Sequence, residues 1–164
     1  MKDKGVFPDL REDALFLFIR NEPERETMTK SSPRIVGFCC QNALHSLGEE
    51  KGQAGKGRFS FEPFIKIVTL PCSSKVDTLA IIKAFEAGVS AIFVVGCPEG
   101  KCRLLGGNDR ARRIVNYTKG LLDEIGIGNS RLEMFQLLTS EWQEFDGIAR
   151  TMIEKIESLR KESE

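Results

Sequence analysis

The sequence predicts an α/β domain built on a mostly parallel sheet of four strands. Three observations lead there. Apolar runs rich in β-formers alternate with segments of helical period along most of the chain. The run at 91–95 is apolar without alternation, as a central parallel strand covered on both faces requires. Cysteines then fall where several of these runs stop.

The first strand is expected at 34–38, closing on Cys39 and Cys40. A weak helical turn follows at 41–47. The glycine-rich stretch at 52–57 lacks the spacing of a phosphate-binding loop. The second strand is expected at 64–70, closed by Pro71 and Cys72, with Ser73 or Ser74 as the cap of a helix. That helix shows Val76, Leu79, Ile82 or Lys83, and Phe85 or Glu86 at helical spacing, and Gly88 stops it. The third strand, 91–95, runs into Gly96 and Cys97. Asn108 is placed to cap a long helix whose apolar face holds Ala111, Ile114, Val115, Thr118, Leu121, Leu122 and Ile125, with Gly126 as its stop. A fourth strand spans 132–138. Ser140 and Gln143 have capping-box spacing at the start of a last helix. Its stripe is Phe145, Ile148, Met152, Ile156 and Leu159. Strand–helix alternation with right-handed crossovers gives a single Rossmann- or flavodoxin-like domain with the cysteines at the carboxyl ends of the strands.

The chain has 164 residues, enough for one domain and a tail. Residues 1–33, punctuated by Pro8 and Pro23, read as an N-terminal extension, and 34–164 as the cysteine-bearing domain. Within the extension, 14–19 is apolar on every face and must be covered, by this domain or by a partner subunit. The last helix's stripe is a second candidate docking surface. Lys and Arg (24) balance Asp and Glu (24), which argues against nucleic acid as partner. No apolar run approaches the ~20 residues that cross a bilayer, so no membrane insertion is expected. The run at 14–19 is too short for a signal-peptide core, and a cytoplasmic location is the expectation.

In a reducing compartment five cysteines do not make a disulfide framework. Cys39, Cys40, Cys72, Cys97 and Cys102 all lie within 39–102, and strand order brings them to one edge of the sheet, where open α/β sheets bind ligands. Four thiolates suit a 2Fe–2S cluster or a zinc ion. The C-x4-C step at Cys97–Cys102 and the absence of C-x2-C knuckles favour iron–sulfur. Adjacent residues on an extended chain point to opposite sides, so Cys39 and Cys40 compete for one ligand place. Lys101, Arg103, Arg110, Arg112 and Arg113 follow closely. Arginines in the first turns of a helix oppose its dipole, so they suggest compensation of an anionic group or docking of an acidic partner, beside the plainer reading of a solvated face. His45, the lone histidine, reads as a surface residue. A thiol redox pair at Cys97 and Cys102 is disfavoured, since such pairs are usually C-x-x-C at a helix start.

Three segments carry a resemblance to a known family. They are Val36-Gly37-Phe38-Cys39-Cys40, Cys72-Ser73-Ser74-Lys75-Val76-Asp77, and Gly96-Cys97-Pro98-Glu99-Gly100-Lys101-Cys102 with Gly107-Asn108. Together they resemble the delta subunit of methyl-viologen-reducing hydrogenase, over about residues 34–160. The resemblance implies a 2Fe–2S protein associated with heterodisulfide reductase complexes of anaerobes. It would pass electrons between an input module (hydrogenase or dehydrogenase) and a flavin-containing heterodisulfide-reductase-like subunit. It implies ligands among Cys39, Cys40, Cys72, Cys97 and Cys102, four of the five being needed. The family has one more cysteine three residues after the pair, where Ala43 stands here. The function expected is therefore a non-catalytic electron-transfer subunit of an oxidoreductase complex. The alternative is a cluster-free, or zinc-bearing, assembly subunit of the same kind of complex.

Overall fold

The computed structural model describes residues 34–44, 65–137 and 142–161. The expectations for 1–33, for 52–57, for His45 and for the Ser140 cap lie outside these residues. The elements run β1 (Ile35–Cys40), α1 (Gln41–Leu44), β2 (Ile65–Leu70), α2 (Thr78–Glu86), β3 (Ala91–Gly96), α3 (Gly107–Glu124), β4 (Leu132–Gln136) and α4 (Trp142–Lys161), with short 3-10 turns at Ser73–Lys75 and Asn129–Arg131. All strand pairings are parallel and the order is β2-β1-β3-β4. That is the flavodoxin-like order, with β1 and β3 in the centre.

Burial follows from that order. Every residue of β1 and of β3 is buried, while β2 and β4 at the edges are half-buried. Strand alternation divides the core into two layers. Val36, Phe38, Ile92 and Val94 face α2 and α3; Ile35, Cys39, Phe93 and Val95 face α4. Phe93 meets Phe135 and Phe145 edge-on, with centroids 6.4 and 6.0 Å apart. Gly37 leaves the space for that ring, since a Cβ there would lie 2.3 Å from Phe93 Cζ.

Several sequence expectations are corrected. α2 begins at Thr78 after Asp77, because Ser73 and Ser74 are taken up in a 3-10 turn. Its buried face is Ile81, Ala84 and Phe85, so Leu79 turns outward. α3 starts one residue before Asn108, which is itself buried in the first turn, and Ile125 is exposed past the helix end. Finally, Phe145, Ile148, Met152 and Ile156 are buried against this domain's own sheet. The α4 stripe is thus core and is not available to a partner.

The helix ends follow the glycines. Gly88 (φ 89°) and Gly126 (φ 77°) both adopt the left-handed conformation. Val89 N–H bonds Ala84 O and Ile127 N–H bonds Leu122 O, the paired closure that satisfies the last carbonyls of α2 and α3.

Candidate functional site: a thiol cluster at the carboxyl edge

The carboxyl ends of β1, β2 and β3 lie side by side, and each delivers cysteine. Cys39 and Cys40 are the last residues of β1; Cys39 stands opposite Thr69 of β2 and Val95 of β3. Cys72 is two residues past β2, and Cys97 follows β3 directly. Cys39, Cys40 and Cys97 all belong to the α4-side core with Phe93 and Val95, and Cys40 is the member of the adjacent pair whose sulfur reaches that of Cys97, 3.7 Å away. Two thiolates on one tetrahedral metal, with bonds of ~2.3 Å, stand about 3.8 Å apart. The Cys40–Cys97 pair has that separation.

A second pair gathers at the start of α3. A Cβ on Gly107 would lie 2.6 Å from Cys72 Sγ and 3.1 Å from Cys102 Sγ, so both sulfurs occupy the space that a side chain there would fill. Gly106 (φ 74°) turns the chain into the helix just before it. The amino end of an 18-residue helix carries a partial positive charge and unbonded N–H groups, which favour anionic sulfur. The Cys102 thiol donates to Leu104 O at 2.8 Å. Cys40, Cys72 and Cys97 are buried and Cys102 is the half-exposed member.

Electrostatics agree with the geometry. Burial pushes the Cys97 thiol up to about 11, against a hydrogen bond from Asn42 that lowers it, with further increases from Cys40 and Cys102. Burial also drives Cys39 far upward, with a smaller contribution from Cys40. Cys39 therefore behaves as a neutral core residue. Asn42 Nδ2 donates to Cys97 Sγ at 3.2 Å, a contact that the sequence reading of 41–47 as a weak helical turn did not single out. Ala43 beside it is fully enclosed.

Of the five predicted site residues, Cys40 stands with Cys97 and Cys72 with Cys102 about Gly107, while Cys39 is enclosed in the α4-side core. Cys97 has Cys40 as its sulfur neighbour, which leaves little for a Cys97–Cys102 redox pair. The donor set is two pairs of thiols around a cradle empty of side chain, which fits a thiolate-held group. Among the described residues, no three His, Cys, Asp or Glu already stand in metal-binding geometry. Of the basic residues, Arg112 is engaged by Glu99 (3.0 Å) and Asp109 (3.5 Å). This accounts for one arginine that opposes the α3 dipole.

Similarity to known proteins decides the family. The family described as methyl-viologen-reducing hydrogenase, delta subunit, matches residues 35–160. The chain belongs to that family. It is 35% identical to an iron-sulfur subunit of the F420-non-reducing hydrogenase vhu of Methanocaldococcus jannaschii, over 77% of this chain and 92% of that protein. It is 32% identical to the iron-sulfur subunit of the vhc hydrogenase of Methanococcus voltae, over 77% of this chain and 86% of that protein. A more distant similarity, 23% over 77% of this chain, covers 16% of a CoB-CoM heterodisulfide reductase subunit from Methanosarcina acetivorans. A segment like this delta-type chain thus lies within a much longer polypeptide there. The family is one of subunits associated with hydrogenase and heterodisulfide reductase, an electron-transfer setting. No helix among the described residues is long and apolar enough to cross a membrane.

Proposed function

We propose that this chain is a cytoplasmic electron-relay subunit whose one 2Fe–2S cluster is held by Cys40, Cys97, Cys72 and Cys102. When bound, such a cluster accepts and releases single electrons. The observation that carries the reading is the pairing of sulfurs: Cys40 with Cys97 at 3.7 Å, and Cys72 with Cys102 about Gly107. A 2Fe–2S cluster takes its thiolates two by two, whereas a zinc ion draws four to one point. The residues around the pairs have separate tasks. Asn42 directs an N–H at Cys97 sulfur, and the amino end of α3 offsets negative charge at Cys72 and Cys102. Cys39, Ala43 and Val95 close the apolar side against water.

The partners proposed are an input module of hydrogenase or dehydrogenase type and a flavin-containing heterodisulfide-reductase-like subunit. Two findings support this: the hydrogenase names of the most similar relatives, and the similar segment inside a heterodisulfide reductase polypeptide. The chain itself performs no substrate chemistry in this reading; it positions the cluster and the partners.

The test is anaerobic purification with visible and EPR spectra and assays of iron and acid-labile sulfide. Equal iron and sulfide, with a reduced S = 1/2 signal, is the expected result; a colourless protein without iron overturns the reading. Cys102→Ser and Cys97→Ser should each abolish or strongly alter the signal, and Cys39→Ser should leave it. The enclosed Ala43, where the family has a further cysteine, is what favours the alternative of a cluster-free or zinc-bearing assembly subunit. Zinc in the same preparation would decide for it.

A further inference from the structure

Past Cys102 the chain turns its apolar side chains outward. Leu104 is 56% exposed and Leu105 fully exposed at 103%. Single surface leucines are ordinary, but these are consecutive. The Leu104 carbonyl accepts from Gly107 N–H (2.8 Å), a bond that ligation by Cys102 leaves in place. That bond tethers the backbone of the tip to the start of α3, so the two leucines sit on a closed turn. Presentation of this kind lowers the ordering cost of docking.

The charge around the tip is net positive. Residues 97–113 contain five basic side chains against two acidic ones. Arg112 is bonded to both acids, Glu99 and Asp109. Lys101, Arg103, Arg110 and Arg113 are exposed, and no carboxylate among the described residues pairs with them. The same loop carries Cys102, the half-exposed member of the thiol group. An apolar anchor, a positive rim and the half-exposed Cys102 coincide.

We infer that the 98–106 loop and the first turns of α3 form the docking face for a redox partner protein, with Leu104 and Leu105 as anchors and Lys101, Arg103, Arg110 and Arg113 as rim. The partner's matching face is an apolar pocket edged by Asp and Glu, close to its own electron-carrying cofactor. A second copy of this chain is a poor occupant, because a two-fold contact here sets like charges against each other. An anionic lipid surface satisfies the charge but offers no electron acceptor beside Cys102. This inference rests on the electron-relay reading.

The test uses the full chain and the cofactor-bearing protein that co-purifies with it from its native host, separated and titrated against each other. Wild-type affinity should fall steeply with salt. Leu104→Ser with Leu105→Ser should weaken binding at least tenfold, and Arg103→Glu with Arg110→Glu should weaken it and flatten the salt dependence. The visible spectrum and circular dichroism of each variant should match the wild type, which separates lost docking from lost folding. Affinities within twofold of wild type in both variants overturn the inference. So does loss of self-association in sedimentation, or of binding to phosphatidylserine vesicles, with partner binding unchanged. A wild-type chain without iron that still binds through Leu104 and Leu105 sinks the relay reading and leaves a docking face.

Discussion

Asn42 shows how much a single side chain can decide at the thiol edge. Its amide donates to Cys97 Sγ at 3.2 Å, the direction of bond that favours negative charge on sulfur. Adding an electron to a thiolate-held group increases that charge, so the bond stabilises the reduced form more than the oxidised one. Asn42→Ala should therefore lower the midpoint potential of the bound group, and Asn42→Asp should lower it further. An EPR-monitored redox titration reads the shift directly; an unchanged potential would remove Asn42 from the tuning set. The cysteines themselves were legible in the sequence because their type and clustering are rare. Asn42 was not, since a polar residue in a four-residue helix carries no pattern of its own. The choice between Cys39 and Cys40 also lay beyond sequence. It depends on where β1 ends: Cys40 is its last residue, paired with Leu70 of β2 and beyond the register with β3, while Cys39 is held between Thr69 and Val95.

At the scale of elements, the start of α3 is where local chemistry and the site meet. Sequence reasoning put the cap at Asn108, the usual residue type for the role. The helix instead begins at Gly107, a position where a Cβ would crowd Cys72 and Cys102 sulfur. The strands, the two glycine stops and the α3 face were readable from periodicity and punctuation. The α2 face and the fate of the α4 stripe were not, because they depend on which layer each helix covers. A pair of substitutions separates the two uses of glycine. Gly88→Ala meets nothing within 4 Å but sits at φ 89°, so it should cost about 1 kcal/mol of stability and leave the spectrum alone. Gly107→Ala has no such backbone strain; its Cβ would lie 2.6 Å from Cys72 Sγ. It should displace a sulfur, with a large loss of iron content and a cost of about 1–3 kcal/mol from overpacking. Thermal melts and iron assays on both variants check this; equal iron retention would contradict the cradle.

Across the whole molecule, the two helical layers are joined at the β4 edge by one carboxylate. Glu133 accepts from Lys119 of α3 on one side (2.7 Å) and from Lys155 of α4 on the other. Half-burial alone would raise its pKa. The hydrogen bonds and charges of the two lysines outweigh that and hold the carboxyl below the usual carboxylate range. A carboxylate depressed in the folded state stabilises the fold above its unfolded value, ~4.3, and that contribution is lost as pH falls through the folded value. Glu133→Gln should thus cost about 1 kcal/mol at neutral pH, a fall of about 2–4 °C in melting temperature for a domain of this size. The gap between variant and wild type should close once the pH drops below the folded pKa, where the native carboxyl is also neutral. Melting curves at pH 7 and in the acid range, at low salt, measure it. A gap that persists undiminished into acid would mean that Glu133 acts by packing and not by charge. This ion pair lies on the β4 edge, whereas Cys40, Cys72 and Cys97 lie at the ends of β1–β3, so under the proposed relay function the Gln variant should match the wild type in iron content while it loses stability.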